Sequence, residues 1–521
     1  MKRMNLWMLT AILTCGLSLL CSCSSDDNST DGSKPDTPRT SPVDYTVMLY
    51  TIGGENLDWE TEADILKACQ GLKAQDPNVR FFFQYKYSSQ KGLDQQSEKR
   101  GGWNFLGKAG GVYRAELEPD MLSDDGKDMR LFTEQMRYGT QQATAELYQP
   151  DSIASFIKYC QAVGPAKNYI LIIGDHGGGY TTVDDAYKDG RGNTRAVCND
   201  GTLKGNPGIT AHELREGIEK SGVHLKMLMY DDCIMNTLEV LGEYQNTTDY
   251  VMASNHITRG GNFTHLINSL RNVAANNDFE GEIGKYMEKV ISENYDSQLE
   301  SEEVLEKYPG QKCHCDFVLT DMKKFQGVMS AMKQFTDKLM SMETVLNTLD
   351  AADGCYQCSP GSSLYDVTSY VSILNFFNND LKETADALTK AIEAAQVKHV
   401  YTQALSDFLA KSDKYTPDYK KLSYLVNIGC GRTNGVGESF GLLRTSAAND
   451  DGDIECIDEN GQYWIYESDL DMFTRDKNKV NELATWANSY KMTAFEQTTG
   501  WTRWIKKNRD LPRNNPPFFF E

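Results

Sequence analysis

Two apolar runs in this chain each stop at a side chain that can do covalent chemistry. Tyr169-Ile170-Leu171-Ile172-Ile173 leads into Gly174-Asp175-His176-Gly177, and Leu225-Lys226-Met227-Leu228-Met229-Tyr230 leads into Asp231-Asp232-Cys233. Open α/β sheets place their chemistry just past the carboxyl ends of the strands. A histidine and a cysteine at two such ends suit a general base and a thiol nucleophile. Gly177 offers a backbone N–H with no side chain beside it. With the N–H of Cys233 it would hold the oxyanion of a tetrahedral intermediate. The expected chemistry is that of a cysteine hydrolase.

Each residue also has a plainer reading. A free cysteine is most often a small buried hydrophobe, but Asp231 and Asp232 beside Cys233 argue against burial. A strand-end histidine often just bonds a carbonyl, yet the glycines at 177–179 fit a site needing close backbone approach. A helix is expected from Ile234 to Tyr244, which would set Cys233 at its positive end and favour thiolate. The two aspartates oppose that by like charge. His212 and His224 read as structural, and His256 and His265 as near the site without being singled out.

The elements around these residues make the pairing plausible. Thr210-x-x-Glu213 is a capping box, with Ala211, Leu214 and Ile218 at helical spacing and Ser221-Gly222 as a stop. Strand, helix and strand then form one crossover unit, which requires parallel strands. Neighbouring axes lie ~4.8 Å apart, so His176 and Cys233 would share one rim. Further strands are expected at 44–50, 79–85 and 251–254, with helices at 59–73 and 151–163. Alternating elements of this kind predict an α/β protein with a mainly parallel sheet between helices. A polar excursion at 88–125 suggests a hairpin around Gly101–Phe105. Past about residue 280 longer helices are expected at 281–294, 322–350 and 381–410, with short strands at 316–320 and 437–443.

At 521 residues the chain exceeds what one core usually holds. The expected division is a targeting segment at 1–22, a disordered Ser/Thr/Asp/Pro tether at 23–43, a catalytic domain at 44–280, and a helix-rich region at 281–521 completing or packing on it. A formal charge of −21 argues against nucleic acid as a partner. Cys355-x-x-Cys358 suits a disulfide, and in combination with Cys313-His314-Cys315 it suggests zinc. Cys-His-Cys, however, opens an expected buried strand and a lone CxxC is a weak metal signal, so no metal site is expected.

The segments around the two strand ends resemble the clostripain-like cysteine peptidases, which share the caspase-like fold with gingipains, legumains and caspases. The likeness rests on the run into His176-Gly177, on Arg195–Asp200 with Thr210–Arg215, on Tyr230–Val240, and on Val251–Ser254. It implies a caspase-like α/β/α sandwich with His176 as base and Cys233 as nucleophile. It also implies cleavage after Arg or Lys, with Asp231 as one acid of the pocket for the residue before the scissile bond. A second acid, usual in the loop after 251–254, is missing: that loop reads His256-Ile257-Thr258-Arg259-Gly260-Gly261-Asn262. Asp232 stands where a small residue is usual. Relatives are often activated by self-cleavage after the histidine, which makes Lys188 and Arg191 the candidates in the long 177–208 loop. No cofactor is implied; calcium stimulates some relatives, but no EF-hand-like spacing occurs here. Protein or peptide substrates and a monomer are expected.

Met1-Lys2-Arg3 and the apolar stretch Leu6–Leu20 form a targeting segment too short to span a bilayer. Leu20-Cys21-Ser22-Cys23 resembles a bacterial lipobox with Cys23 as the lipidated residue, and Ser24-Ser25-Asp26-Asp27 an acidic surface-export signal. A lipid-anchored protein of a Gram-negative envelope follows. A second reading stays open at this point: a catalytically idle caspase-like lipoprotein that binds protein or glycan.

Overall fold

The inner strands of this protein are apolar on both sides because helices cover both sides of their sheet. The computed structural model describes residues 41–138, 146–179, 197–203, 208–300, 309–343 and 364–411, residues 305 and 355, and short stretches between 427 and 504. Strands β1 (Val43–Ile52), β2 (Val79–Lys86), β4 (Ala166–Gly174), β5 (Leu225–Asp231) and β6 (Thr248–Ala253) run parallel, in the order β2-β1-β4-β5-β6. Antiparallel β3 (Val112–Glu116) closes the β2 edge. Beyond β6, antiparallel β7 (Asp316–Asp321) and β9 (Gln396–Tyr401) complete eight strands. A separate short strand, β8 (Leu364–Asp366), pairs with Asn427–Gly429. The chain after residue 280 therefore supplies two strands of the same sheet.

Alternation along β1 shows how the layers are built. Met48, Tyr50 and Ile52 pack into a core with α3 (Pro150–Val163), α4 (Ala211–Ser221), α5 (Leu238–Glu243) and the helix Met322–Ser341. Val47 and Leu49 face the other core, under α1 (Asp58–Gly71), α6 (Phe263–Asn276) and α7 (Phe279–Val290). The crossover helix α4 begins as its capping box predicts. Thr210 Oγ1 accepts the Glu213 N–H at 3.1 Å, and the Glu213 carboxylate accepts the Thr210 N–H at 2.9 Å. Gly222 ends it at φ 75°, a conformation that glycine adopts without steric penalty. The α/β/α layering with a mainly parallel sheet is as expected.

Several elements differ from the sequence reading. The 88–125 excursion holds a helix, α2 (Gln90–Lys99), and the edge strand β3 rather than a hairpin at 101–105. The long helix expected over 381–410 is interrupted by β9, where Val397, Val400 and Tyr401 favour a pleated edge over a helix. The helix expected from Ile234 begins only at Leu238. Among the described residues no helix is long and apolar enough to cross a membrane.

Candidate active site

The register of β4 and β5 sets the site. Ile170 to Gly174 pair with Met227 to Asp231, so both strands end at the same level. Asp175-His176 and Asp232-Cys233 then leave the sheet side by side. Both His176 and Cys233 line a cavity of about 230 Å³ at this rim. Its remaining walls come from β1 (Leu49, Thr51), Leu57 ahead of α1, α1 itself (Glu60, Thr61, Asp64), Gly174 and Asp175, Asp231, and the loop Ile257–Gly260 with Phe263.

Contacts hold each reactive side chain. His176 Nε2 lies 2.6 Å from Asn56 Oδ1, in the turn after β1. The amide oxygen is an acceptor, so this bond keeps the proton on Nε2 and leaves Nδ1 as the basic nitrogen. Burial pushes the imidazole pKa down to about 4. Cys233 Sγ accepts the Thr258 N–H at 3.3 Å. Burial raises the thiol, while the Thr258 bonds work in the opposite direction. At neutral pH the pair is therefore thiol and neutral imidazole.

The helix dipole proposed from sequence plays no part at the thiol. Cys233 sits in a turn, and α5 starts five residues later with Thr237 as its N-cap. The cause is Ile234, at φ 59°, which reverses the chain before any helix can form. That conformation is strained for a β-branched residue. The Ile234 N–H donates to the His256 carbonyl at 3.0 Å, and the Asn236 N–H donates to Ser254 at 2.9 Å. The loop after β6 thus clamps the cysteine turn. Behind it His256 Nδ1 lies 2.7 Å from the buried Asp316, which His399 approaches on its other oxygen at 2.8 Å.

Gly177 packs directly on the Cys233 backbone. A Cβ there would lie 2.2 Å from the Cys233 carbonyl oxygen and 2.8 Å from its nitrogen. Asp232, by contrast, is fully buried beneath the rim, and its Oδ1 accepts the Asp175 N–H at 2.5 Å. Burial raises both the Asp175 and Asp232 carboxyls well above the ordinary range. Asp231 faces the cavity, with its carboxyl pushed up to about 7 by burial.

Sequence reasoning missed three residues here: Asn56, Thr258 and Asp64. Only the loop around Thr258 lay in a segment already under suspicion. Asp64 sits mid-helix in α1, where an acid reads as solvated surface, yet it is buried against the cavity. The second pocket acid sought after β6 is absent there, and Arg259 lines that side instead. Lys188 and Arg191 lie outside the described residues, as do Cys23 and Cys358. His212 and His224 face Glu243 and Asp249, and His265 faces Glu293. Among the described residues no group of three or more His, Cys, Asp or Glu is placed to hold a metal.

A model of the clostripain family of peptidases matches residues 114–507, well over half of the chain. Clostripain of Hathewaya histolytica is 26% identical over 230 residues, which is 42% of this chain and 40% of that protein. The chain therefore matches less than half the length of that curated relative. Among solved structures, the secreted C11 cysteine protease "iotapain" of Bacteroides thetaiotaomicron superposes with a TM-score of 0.48 and 16% identity, covering 70% of this chain and 88% of its own. A secreted C11 protease of the same organism, in complex with an irreversible peptide inhibitor, gives 0.49 and 14%, over 88% and 99% of the two chains. An inactive zymogen C11 protease from Parabacteroides distasonis gives 0.48 and 12%, again over 88% and 99%.

Proposed function

This chain belongs to the clostripain family, and we propose that it is a cysteine endopeptidase that cuts protein chains after Arg or Lys. The observation that carries this reading is the placement of His176 and Cys233 on one cavity, at level ends of neighbouring parallel strands. In this mechanism Nδ1 of His176 takes the thiol proton as Sγ attacks the scissile carbonyl. A C–S bond forms, the carbonyl π electrons move to oxygen, and the tetrahedral oxyanion collapses with loss of the amine. His176 returns the proton to that amine. Water then attacks the acyl carbon with His176 again as base, the C–S bond breaks to release the acid product, and His176 returns the proton to the Cys233 sulfur.

The neutral resting pair suits this order of events, since thiol and base meet the substrate uncharged. The N–H groups of Gly177 and Cys233 are the oxyanion donors in this reading, and the tight packing of Gly177 on Cys233 supports a fixed spacing between them. Asp231 is the acid that receives the basic side chain. Cleavage of the chain's own 177–208 loop, at Lys188 or Arg191, is part of the same proposal. So is export, with lipid on Cys23 as the anchor. Residues 44–280 form its catalytic domain in this account, with the sheet strands after 280 as its completion.

A chloromethyl ketone carrying Lys or Arg at P1 tests the assignment directly. Intact-mass analysis should show one adduct on the wild type, mapped to Cys233, and none on Cys233→Ala. An adduct on another cysteine, or none at all, would remove Cys233 as nucleophile.

A further inference from the structure

The cavity beside Cys233 has an acidic floor assembled from two elements remote in sequence. Asp64, on the inner side of α1, is 7% exposed and lines the cavity together with Asp231 at the end of β5. Asp64 also lies ahead of the stretch that the family model matches. Two polar atoms around the floor are left unmet. Asp231 Oδ1 and the Tyr286 hydroxyl from α7 are both buried with no hydrogen-bond partner among the described residues. Tyr286 is 1% exposed and feels both carboxyls, which add to burial in raising its hydroxyl pKa.

The glycines facing the floor keep it open. Gly260, at φ +83°, would place a Cβ 2.7 Å from Asp64 Oδ2, and Gly261 would place one 2.8 Å from the Tyr286 hydroxyl. Leu49, Leu57 and Phe263 supply apolar wall for a long aliphatic stem. Unpaired buried acceptors beneath an apolar shaft form a receptor for a cation at the end of a flexible chain.

Resting on the peptidase reading, we infer that Asp64 is the second acid of the P1 pocket: with Asp231 it holds the substrate's side-chain cation, and the pair releases a proton to solvent as that cation enters. Burial raises both carboxyls, and for Asp64 the neighbouring Asp231 adds to the effect. The groups facing the pair offset only part of its charge, and among the described residues the one cation that lowers both carboxyls is Lys67. From α1, the Lys67 amine stands 3.8 Å from Asp64 with 39% of its side chain exposed, while Glu60 adds negative charge. From α7 comes neutral Tyr286, with Tyr295 following it, and from the β6 loop comes the Gly261 N–H. Arg259 lines the cavity, but its guanidinium bonds Gln298 at 3.0 Å. His176 and Cys233 complete the rim and are both neutral near pH 7. An empty pocket therefore keeps a proton that a bound guanidinium would displace.

Steady-state kinetics on the full chain test this, using fluorogenic peptides identical except for Arg, citrulline or Leu at P1, between pH 5 and 9. For wild type the KM of the Arg peptide should fall as pH rises through about 7, while the KM of the citrulline peptide stays flat. Asp64→Asn should lower the Arg-to-citrulline ratio of kcat/KM about 10- to 100-fold, the worth of a hydrogen bond to a charged group. It should also flatten the KM profile for Arg. Asp64→Glu, which keeps the charge, should restore part of both; a merely structural Asp64 would move neither the ratio nor the profile. A full Arg-to-citrulline ratio in a folded Asp64→Asn protein would overturn the pocket assignment alone. So would a flat wild-type KM profile, which needs no variant. Turnover of no peptide, or turnover that survives Cys233→Ala, would instead overturn the peptidase reading beneath it.

Discussion

The buried carboxyl of Asp232 accepts the backbone N–H of Asp175 at 2.5 Å, which ties the residue before the candidate nucleophile to the residue before the candidate base. The bond spans the ends of β4 and β5 and fixes how far apart the two loops can stand. Because burial raises the Asp232 carboxyl well above the ordinary range and so favours its neutral form, an amide is the closest replacement. Asp232→Asn should therefore keep most of the activity and the melting temperature. Asp232→Ala leaves a buried N–H unmet, which costs about 1–3 kcal/mol. It should lower kcat with little change in KM. Equal kcat in wild type and Asp232→Ala would show that the tie does not position the pair.

Gly177 allows a second prediction. The atoms a methyl group would strike are the Cys233 carbonyl oxygen and nitrogen, both backbone, and the Asp232 Cβ, which is fixed to the backbone, so rotation of a side chain cannot relieve the clash. Gly177→Ala should fold, displace the cysteine turn, and reduce kcat about 100-fold, as misplacement by about 1 Å does at an assembled site. Near-UV circular dichroism distinguishes this from unfolding. Wild-type kcat in the alanine variant would contradict the packing described.

The protonation states at the rim are open to measurement as well. With the Cys233 thiol raised and His176 held neutral, alkylation by iodoacetamide should stay slow at pH 6 and climb continuously through pH 9. A plateau already at pH 6 would mean a preformed thiolate–imidazolium pair. His176 has a folded pKa of about 4, below its ordinary 6.5, so its contribution to stability is complete above pH 6.5 and is lost as pH falls through about 4. The urea midpoint of His176→Gln should accordingly gain on wild type at pH 4.5 and not at pH 7.

Lys86 and Asp200 form an ion pair 2.7 Å long with both side chains fully buried. It anchors the stretch that returns to the sheet after the long loop. Removal of one partner leaves an uncompensated buried charge, and Lys86→Met should destabilise the fold by about 3–5 kcal/mol. The double variant Lys86→Met/Asp200→Leu should recover much of that loss. A double variant no more stable than the single would show that the pair contributes more than mutual neutralisation.

The parts of this site that follow a local period were legible from the residues alone. The apolar runs at 169–173 and 225–230 and the capped helix between them dictate parallel neighbours, and with them the shared rim. What was not legible depends on the chain folding back from a distance. Ile234 adopts a left-handed conformation because the β6 loop bonds its N–H, and no propensity argument puts a β-branched residue there. The resulting turn shortened α5 and removed the helix terminus from Cys233. Asp64 reaches the cavity, and Asn56 the His176 imidazole, only once α1 and its entry turn are laid over the sheet. Their own neighbours in sequence carry no sign of it. The strand β9 was hidden for another reason, since its alternation of valine with polar residues is brief and flanked by helix formers.

The most direct test of the account compares wild type and Cys233→Ala on fluorogenic peptides that differ only at P1. Wild type should cleave after Arg or Lys and only weakly after neutral residues, and Cys233→Ala should show no turnover above background. Equal turnover by the two proteins would contradict the cysteine mechanism, and wild-type cleavage after neutral residues alone would contradict the acidic pocket.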